Sequence, residues 1–120
     1  MTIGTFLFIT IDANDAAAVA AFWAKLLGTE IDSEMDDGRF VFLKGTGDLP
    51  VVCVQRVPER KSVKNRVHLD LSVEDLEIAT AEVLALGGSW ADGQTRELEG
   101  FKWRTLADPD GNEFDIATGA

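Results

Sequence analysis

The chain has 120 residues, 46% of them hydrophobic and 27% charged, enough for one small globular domain and too apolar for disorder. Its formal net charge of −10 sets most of its surface against a phosphate backbone, so nucleic acid is not an expected partner. No apolar run approaches the roughly 20 residues of a membrane helix, no secretory signal is legible, and the single cysteine, Cys53, has no internal partner; a cytoplasmic domain is expected.

Gly4–Asp12 is the first strong signal. Leu7, Ile9 and Ile11 alternate with Phe6, Phe8, Thr10 and Asp12, the period of a strand with one apolar face. Asp15 is placed to cap the following alanine-rich segment, a predicted helix with Val19, Phe22, Trp23, Leu26 and Leu27 along one stripe and Gly28 as its stop. Strand-like runs follow at Glu30–Met35, Arg39–Leu43 and Val51–Gln55, separated by Asp36-Asp37-Gly38 and by Gly45–Asp48. Arg56, Arg60, Lys61, Lys64 and Arg66 then gather five of the eleven basic residues in a stretch that reads as a solvated linker.

Beyond the linker the pattern restarts. Arg66–Leu71 alternates as a strand, Asp75 precedes a helix that Gly87-Gly88 stops, and strands are expected at Ser89–Arg96, Phe101–Ala107 and Glu113–Ala117. Asp108–Asn112 (DPDGN) between the last two is a tight-turn signal. The two halves superimpose at an offset of 60: Asp15 on Asp75, Gly28 on Gly88, Phe8 on His68 and Gln55 on Asp115. The expected fold is α+β, two βαβββ modules at about 4–57 and 66–118 joined by a linker at about 58–65, forming cupped mixed or antiparallel sheets within a single domain.

Leu7, Ile9, Ile11, Val67, Leu69, Leu71, Phe114 and Ile116 are expected beneath the helices. Strand alternation then turns Phe6, Phe8, Thr10, Asp12, Cys53 and Gln55 of the first module to the other face, with Arg66, His68, Asp70, Glu113 and Asp115 of the second. Polar groups converging beside aromatic ones point to a small-molecule site rather than a merely wet sheet face. Cys53 reads as a small buried hydrophobe, not a nucleophile.

Three motifs carry a resemblance to a known family: Asp12 through Gly28, Lys64–Leu71 (KNRVHLDL) and Leu106–Ala117 (LADPDGNEFDIA). Through them the chain resembles the vicinal oxygen chelate superfamily, which unites glyoxalases, bleomycin resistance proteins and extradiol dioxygenases, and within it the small bacterial glyoxalase-like proteins. The resemblance places the family's four metal-ligand positions at Phe8, Gln55, His68 and Asp115. His68 and Asp115 are competent donors, Gln55 offers one uncharged oxygen, and Phe8 offers none. A divalent metal (Zn, Fe, Mn, Ni or Co) is the implied cofactor, with Asp70 or Glu113 as the carboxylate that moves a proton after burial raises its pKa.

The implied activity is that of a metal-assisted lyase, isomerase or dioxygenase on a substrate with adjacent oxygens, with Phe8, Asp12, Arg66 and Trp103 as binding residues. The alternative is a metal-free protein that sequesters an antibiotic-type ligand, cationic or aromatic. The resemblance also implies a homodimer.

Overall fold

The computed structural model describes residues 2–119 and divides into two compact units between Arg60 and Lys61. The first unit runs β1 (Phe8–Ala13), α1 (Ala16–Leu26), β2 (Ile31–Met35), β3 (Phe40–Leu43) and β4 (Val51–Arg56). Its four-stranded sheet has the order β1-β4-β3-β2, with β1 and β4 parallel and the other pairs antiparallel. The second unit runs β5 (Asp70–Ser72), α2 (Leu76–Ala85), β6 (Ser89–Trp90), β7 (Arg96–Leu98), β8 (Phe101–Ala107) and β9 (Glu113–Thr118). It repeats the order as β5-β9-β8-β6, again with a parallel first pair, and β7 also pairs with β8. The fold is therefore two mixed sheets with one helix each, and no helix among the described residues is long and apolar enough to cross a membrane.

Both helices start as their sequences dictate. Asp15 accepts a hydrogen bond from the Ala18 amide at 3.1 Å, and Asp75 accepts one from Ile78 at 2.9 Å, each supplying an orphan donor of the first turn with a partner. Helix α1 buries Val19, Ala20, Phe22 and Trp23, and Ala13, Val41, Leu43, Val52, Cys53 and Val54 are buried in its own sheet. In the second unit α2 buries Thr80 and Val83, and Leu106, Phe114 and Ile116 are fully buried.

Three strands differ from expectation. β1 begins at Phe8, where β4 begins at Val51; Pro50 just before it has no amide to donate, so Gly4–Leu7 lies outside the ladder and Leu7 is 72% exposed. β5 begins at Asp70 because Asn65 intercepts β9: its side-chain amide donates to the Glu113 carbonyl at 3.1 Å. The last ladder bond towards the N-terminus is Asp115 N–H to the Leu69 carbonyl at 2.9 Å, and Val67, expected in the core, is 79% exposed. The run expected as one strand over Ser89–Arg96 is divided by an Asp92-Gly93 turn, with Gly93 at φ 69° and Asp92 Oδ1 accepting from the Gln94 amide.

β8 alternates cleanly. Arg104 and Leu106 are buried, whereas Trp103 and Thr105 point to the other face with Asp115 and Ala117 of β9. Arg104 is held by Thr80 and Thr95, each at 2.9 Å, by an ion pair with Glu77, and by the Trp90 ring, whose centroid lies 4.3 Å from its guanidinium carbon.

Candidate functional site

On the face of the second sheet that α2 leaves uncovered, β5, the segment entering it and β9 bring three donor side chains together. His68 Nδ1 stands 3.1 Å from Asp70 Oδ1 and 3.8 Å from Asp115 Oδ2. Each of the three residues offers one ligand atom, and those atoms lie within 4.8 Å of one another. Asp70 and Asp115 are ladder partners on parallel strands, which fixes their backbone positions. Asp115 is also aimed: the Thr105 hydroxyl donates to its Oδ1 at 2.7 Å, leaving Oδ2 towards the imidazole. Its side chain is 13% exposed, that of Asp70 65%.

The same residues border a hollow of about 460 Å³, whose other walls are Leu98, Phe101, Trp103 and Ala117. That volume suits a small molecule, and the mixture of apolar wall and polar floor is typical of such sites. The DPDGN turn, closed by Asp108 accepting from the amides of Asp110 and Asn112, sets the β8–β9 register that puts Thr105 opposite Asp115 and Trp103 opposite Ala117.

Glu113 is occupied otherwise. Its Oε1 pairs with Lys61 Nζ at 2.7 Å and accepts from the Asn65 amide at 3.1 Å. Burial works to raise its pKa, but the hydrogen bonds from Lys61 and Asn65 and the charges of Lys61 and Lys64 outweigh it and hold the carboxyl below its usual range. The expectation of a raised pKa is thus corrected; Glu113 clasps the segment ahead of β5. Arg66 is exposed in that segment.

The first unit carries the counterpart positions. Counted back from the capping Asp15 and Asp75, Phe8 and Thr10 of β1 correspond to His68 and Asp70. The parallel ladders pair Thr10 with Cys53 but Asp70 with Asp115, so the counterpart of Asp115 is Cys53, and the offset at β4 and β9 is two residues longer than at β1 and β5. This corrects the pairing of Gln55 with Asp115: Gln55 lies opposite Asp12, and its counterpart is Ala117. On β3, Phe42 stands opposite Cys53 and Phe40 opposite Gln55, the places of Thr105 and Trp103. Phe8 and Phe42 pack with ring centroids 5.3 Å apart and planes tilted by 54°, and burial pushes the Cys53 thiol pKa up. At the three places of the donors, then, the first unit has Phe8, Thr10 and Cys53, none of them charged, where the second has His68, Asp70 and Asp115.

Thr105, Phe40 and Phe42 were not singled out from the sequence. The fixed length of the DPDGN turn would have paired Thr105 with Asp115 and shown which way Trp103 faces.

A family model described as a glyoxalase-like domain matches residues 8–117. No curated protein matches the chain. Among solved structures, a glyoxalase/bleomycin resistance protein/dioxygenase from Nocardioides aligns over 99% of this chain and 85% of its own, with 14% identity and a TM-score of 0.74. The fosfomycin resistance protein FosX from Listeria monocytogenes, crystallised as a variant with Mn(II) and 1S,2S-dihydroxypropylphosphonic acid, aligns over 100% of this chain and 95% of its own at 16% identity and a TM-score of 0.76. TnmS3, an antibiotic-binding protein from Streptomyces sp. CB03234, aligns over 100% and 99% at 16% identity and a TM-score of 0.71. At such identities these likenesses speak for the fold.

Proposed function

Since the chain belongs to the glyoxalase-like domain family of the vicinal oxygen chelate superfamily, we propose that its second unit binds a divalent metal through His68, Asp70 and Asp115 and uses it on a small substrate with adjacent oxygens. The observation that carries this reading is the convergence of the three donors beside an apolar-walled hollow. The donor set fits the ion. Neighbouring donors around a six-coordinate metal with bonds of about 2.1 Å stand roughly 3 Å apart, the spacing of His68 Nδ1 and Asp70 Oδ1. One imidazole and two carboxylates suit Mn²⁺, Fe²⁺, Co²⁺, Ni²⁺ or Zn²⁺, and the two negative charges balance a dication.

Held by His68, Asp70 and Asp115, such a metal would supply Lewis acidity to negative charge developing on a substrate oxygen. The chain's own residues do the positioning. Thr105 holds the Asp115 carboxylate in one orientation, and Trp103, Phe101 and Leu98 offer apolar surface to the body of the substrate. Asp70 takes the role of a donor here, in place of the uncharged Gln55 expected from the sequence. Phe8 and Asp12 stay outside the donor set.

The test is elemental analysis of protein purified without chelator or polyhistidine tag, with calorimetric titration of Mn²⁺ and Zn²⁺. The expected result is one saturable site per chain, lost in His68→Ala and weakened at least roughly tenfold in Asp70→Asn. Saturable binding that survives His68→Ala would overturn the assignment.

A second reading is sequestration without metal, favoured by the aromatic walls of Trp103 and Phe101 beside an exposed Asp70 carboxylate, a combination that attracts a flat cation. It predicts a rise in melting temperature with cationic aromatic ligands that persists in excess chelator. Association of two copies is proposed alongside either reading, supported by the exposure of Phe6, Leu7 and Val67; sedimentation equilibrium returning only a monomer would refute it.

A further inference from the structure

Two residues of the basic stretch that reads as solvated linker, Arg56 and Arg60, line a hollow that the proposed metal site does not use. Arg39, at the entrance to β3, and Arg56, at the end of β4, are joined across the strands by Arg56 N–H donating to the Arg39 carbonyl at 2.7 Å. Like charges directly opposite each other on antiparallel strands repel. A third guanidinium, Arg60, follows within four residues, and the three arginines line a hollow of about 540 Å³ together with Asn14, Val57 and Pro58.

This hollow is built rather than draped. Val57 N–H donates to the Ala13 carbonyl at 2.9 Å, and the Asn14 side-chain amide donates to the carbonyls of Val57 and Glu59 at 2.9 and 2.8 Å. Pro58 stiffens the same segment. Arg60 is therefore presented from a pinned backbone and Arg56 from a strand, and neither makes an ion pair among the described residues. Arg39 has one ionic partner, Asp36, at 3.5 Å, with the side chains 48% and 64% exposed, and its guanidinium carbon lies 5.3 Å from the Phe40 ring centroid. Such a contact competes weakly with a multivalent anion. Acidic groups do stand nearby: Glu34, Asp37 and Asp15 line an adjoining hollow that shares Asn14 and Arg56. Their charge repels an extended acidic surface that would have to cross both hollows, whereas a compact anion fits among the arginines alone.

We propose that this three-arginine hollow is a second ligand site that binds a phosphate group, free or carried by a small molecule. Guanidinium forks match phosphate oxygens two at a time, and converging arginines concentrate positive potential in a molecule whose net charge is −10. The volume leaves room for a small body beyond the phosphate.

The test is titration of the full chain at low ionic strength with inorganic phosphate, pyrophosphate and glycerol phosphate, followed by calorimetry and by amide shifts. Saturable binding of pyrophosphate is expected, with the largest shifts at Asn14, Arg56 and Arg60. Affinity should fall roughly tenfold in Arg56→Gln/Arg60→Gln, and stay within about twofold in the equally charged control Lys25→Gln/Lys102→Gln. Glycerol phosphate binding more tightly than inorganic phosphate would assign the site to a carried phosphate, and the reverse order to the free anion. The proposal is overturned by unsaturable binding, by equal losses in both double variants, by wild-type shifts located elsewhere, or by a polyglutamate peptide binding more tightly than pyrophosphate.

Discussion

Asp70 and Asp115 face the same imidazole but are held differently, and their substitutions should separate accordingly. Asp115 has a hydroxyl from Thr105 on one oxygen and little exposure, whereas Asp70 is mostly in solvent. Thr105→Val should therefore weaken metal binding about tenfold without touching a donor atom, because Asp115 loses its orientation; isothermal titration of metal into the variant measures this. Glu113 makes a prediction about acid. Its folded pKa lies below the unfolded one, so the folded state holds fewer protons there. The resulting stability is complete above the unfolded carboxylate pKa and is lost as pH falls through the folded value. Glu113→Gln should cost about 1–2 kcal/mol at neutral pH and flatten the acid side of the stability profile, as read from urea midpoints between pH 7 and 3. The motifs single out His68 and Asp115, and the fold brings their side chains to 3.8 Å of each other. An offset of 60 through the helix caps carries Gln55 onto Asp115, and nothing in the sequence reports that the two parallel ladders differ in register by two.

The helices were the most legible elements, since each is announced by an aspartate that does cap it. Asp15→Ala and Asp75→Ala should each destabilise by about 1 kcal/mol, measured by chemical denaturation with unchanged m-value. Arg104 was hidden, because a charged residue in a strand reads as outward-facing. Its burial between α2 residues and Trp90 depends on four partners at once, so Arg104→Met should cost about 2–4 kcal/mol despite conserving much of the side-chain volume. Strand ends were overread for one reason: alternation continues past the point where a partner exists. Gly4–Leu7 and Arg66–Leu69 keep the period of a strand, yet Pro50 and the Asn65 side chain stop the pairing. The Asp92-Gly93 break was written in turn residues inside a segment that otherwise suits a strand.

At the scale of the molecule, two units share one strand order but not one chemistry. That the pattern repeats was legible from apolar periodicity and caps; which copy carries the imidazole follows from the single histidine. The acidic excess has its own consequence. Self-repulsion at −10 is screened by salt, so raising sodium chloride from low to physiological concentration should increase the melting temperature by a few degrees, as seen by calorimetry. The uncharged counterparts of the three donors bear on metal stoichiometry as well. Phe8, Thr10 and Cys53 occupy the places of His68, Asp70 and Asp115 in an equivalent strand pairing, with no charge to meet a cation. Each polypeptide thus carries a donor-free copy of the same strand pairing: those three places hold no second imidazole-and-carboxylate set, so uptake of more than one ion per chain would have to be traced to a different part of the molecule.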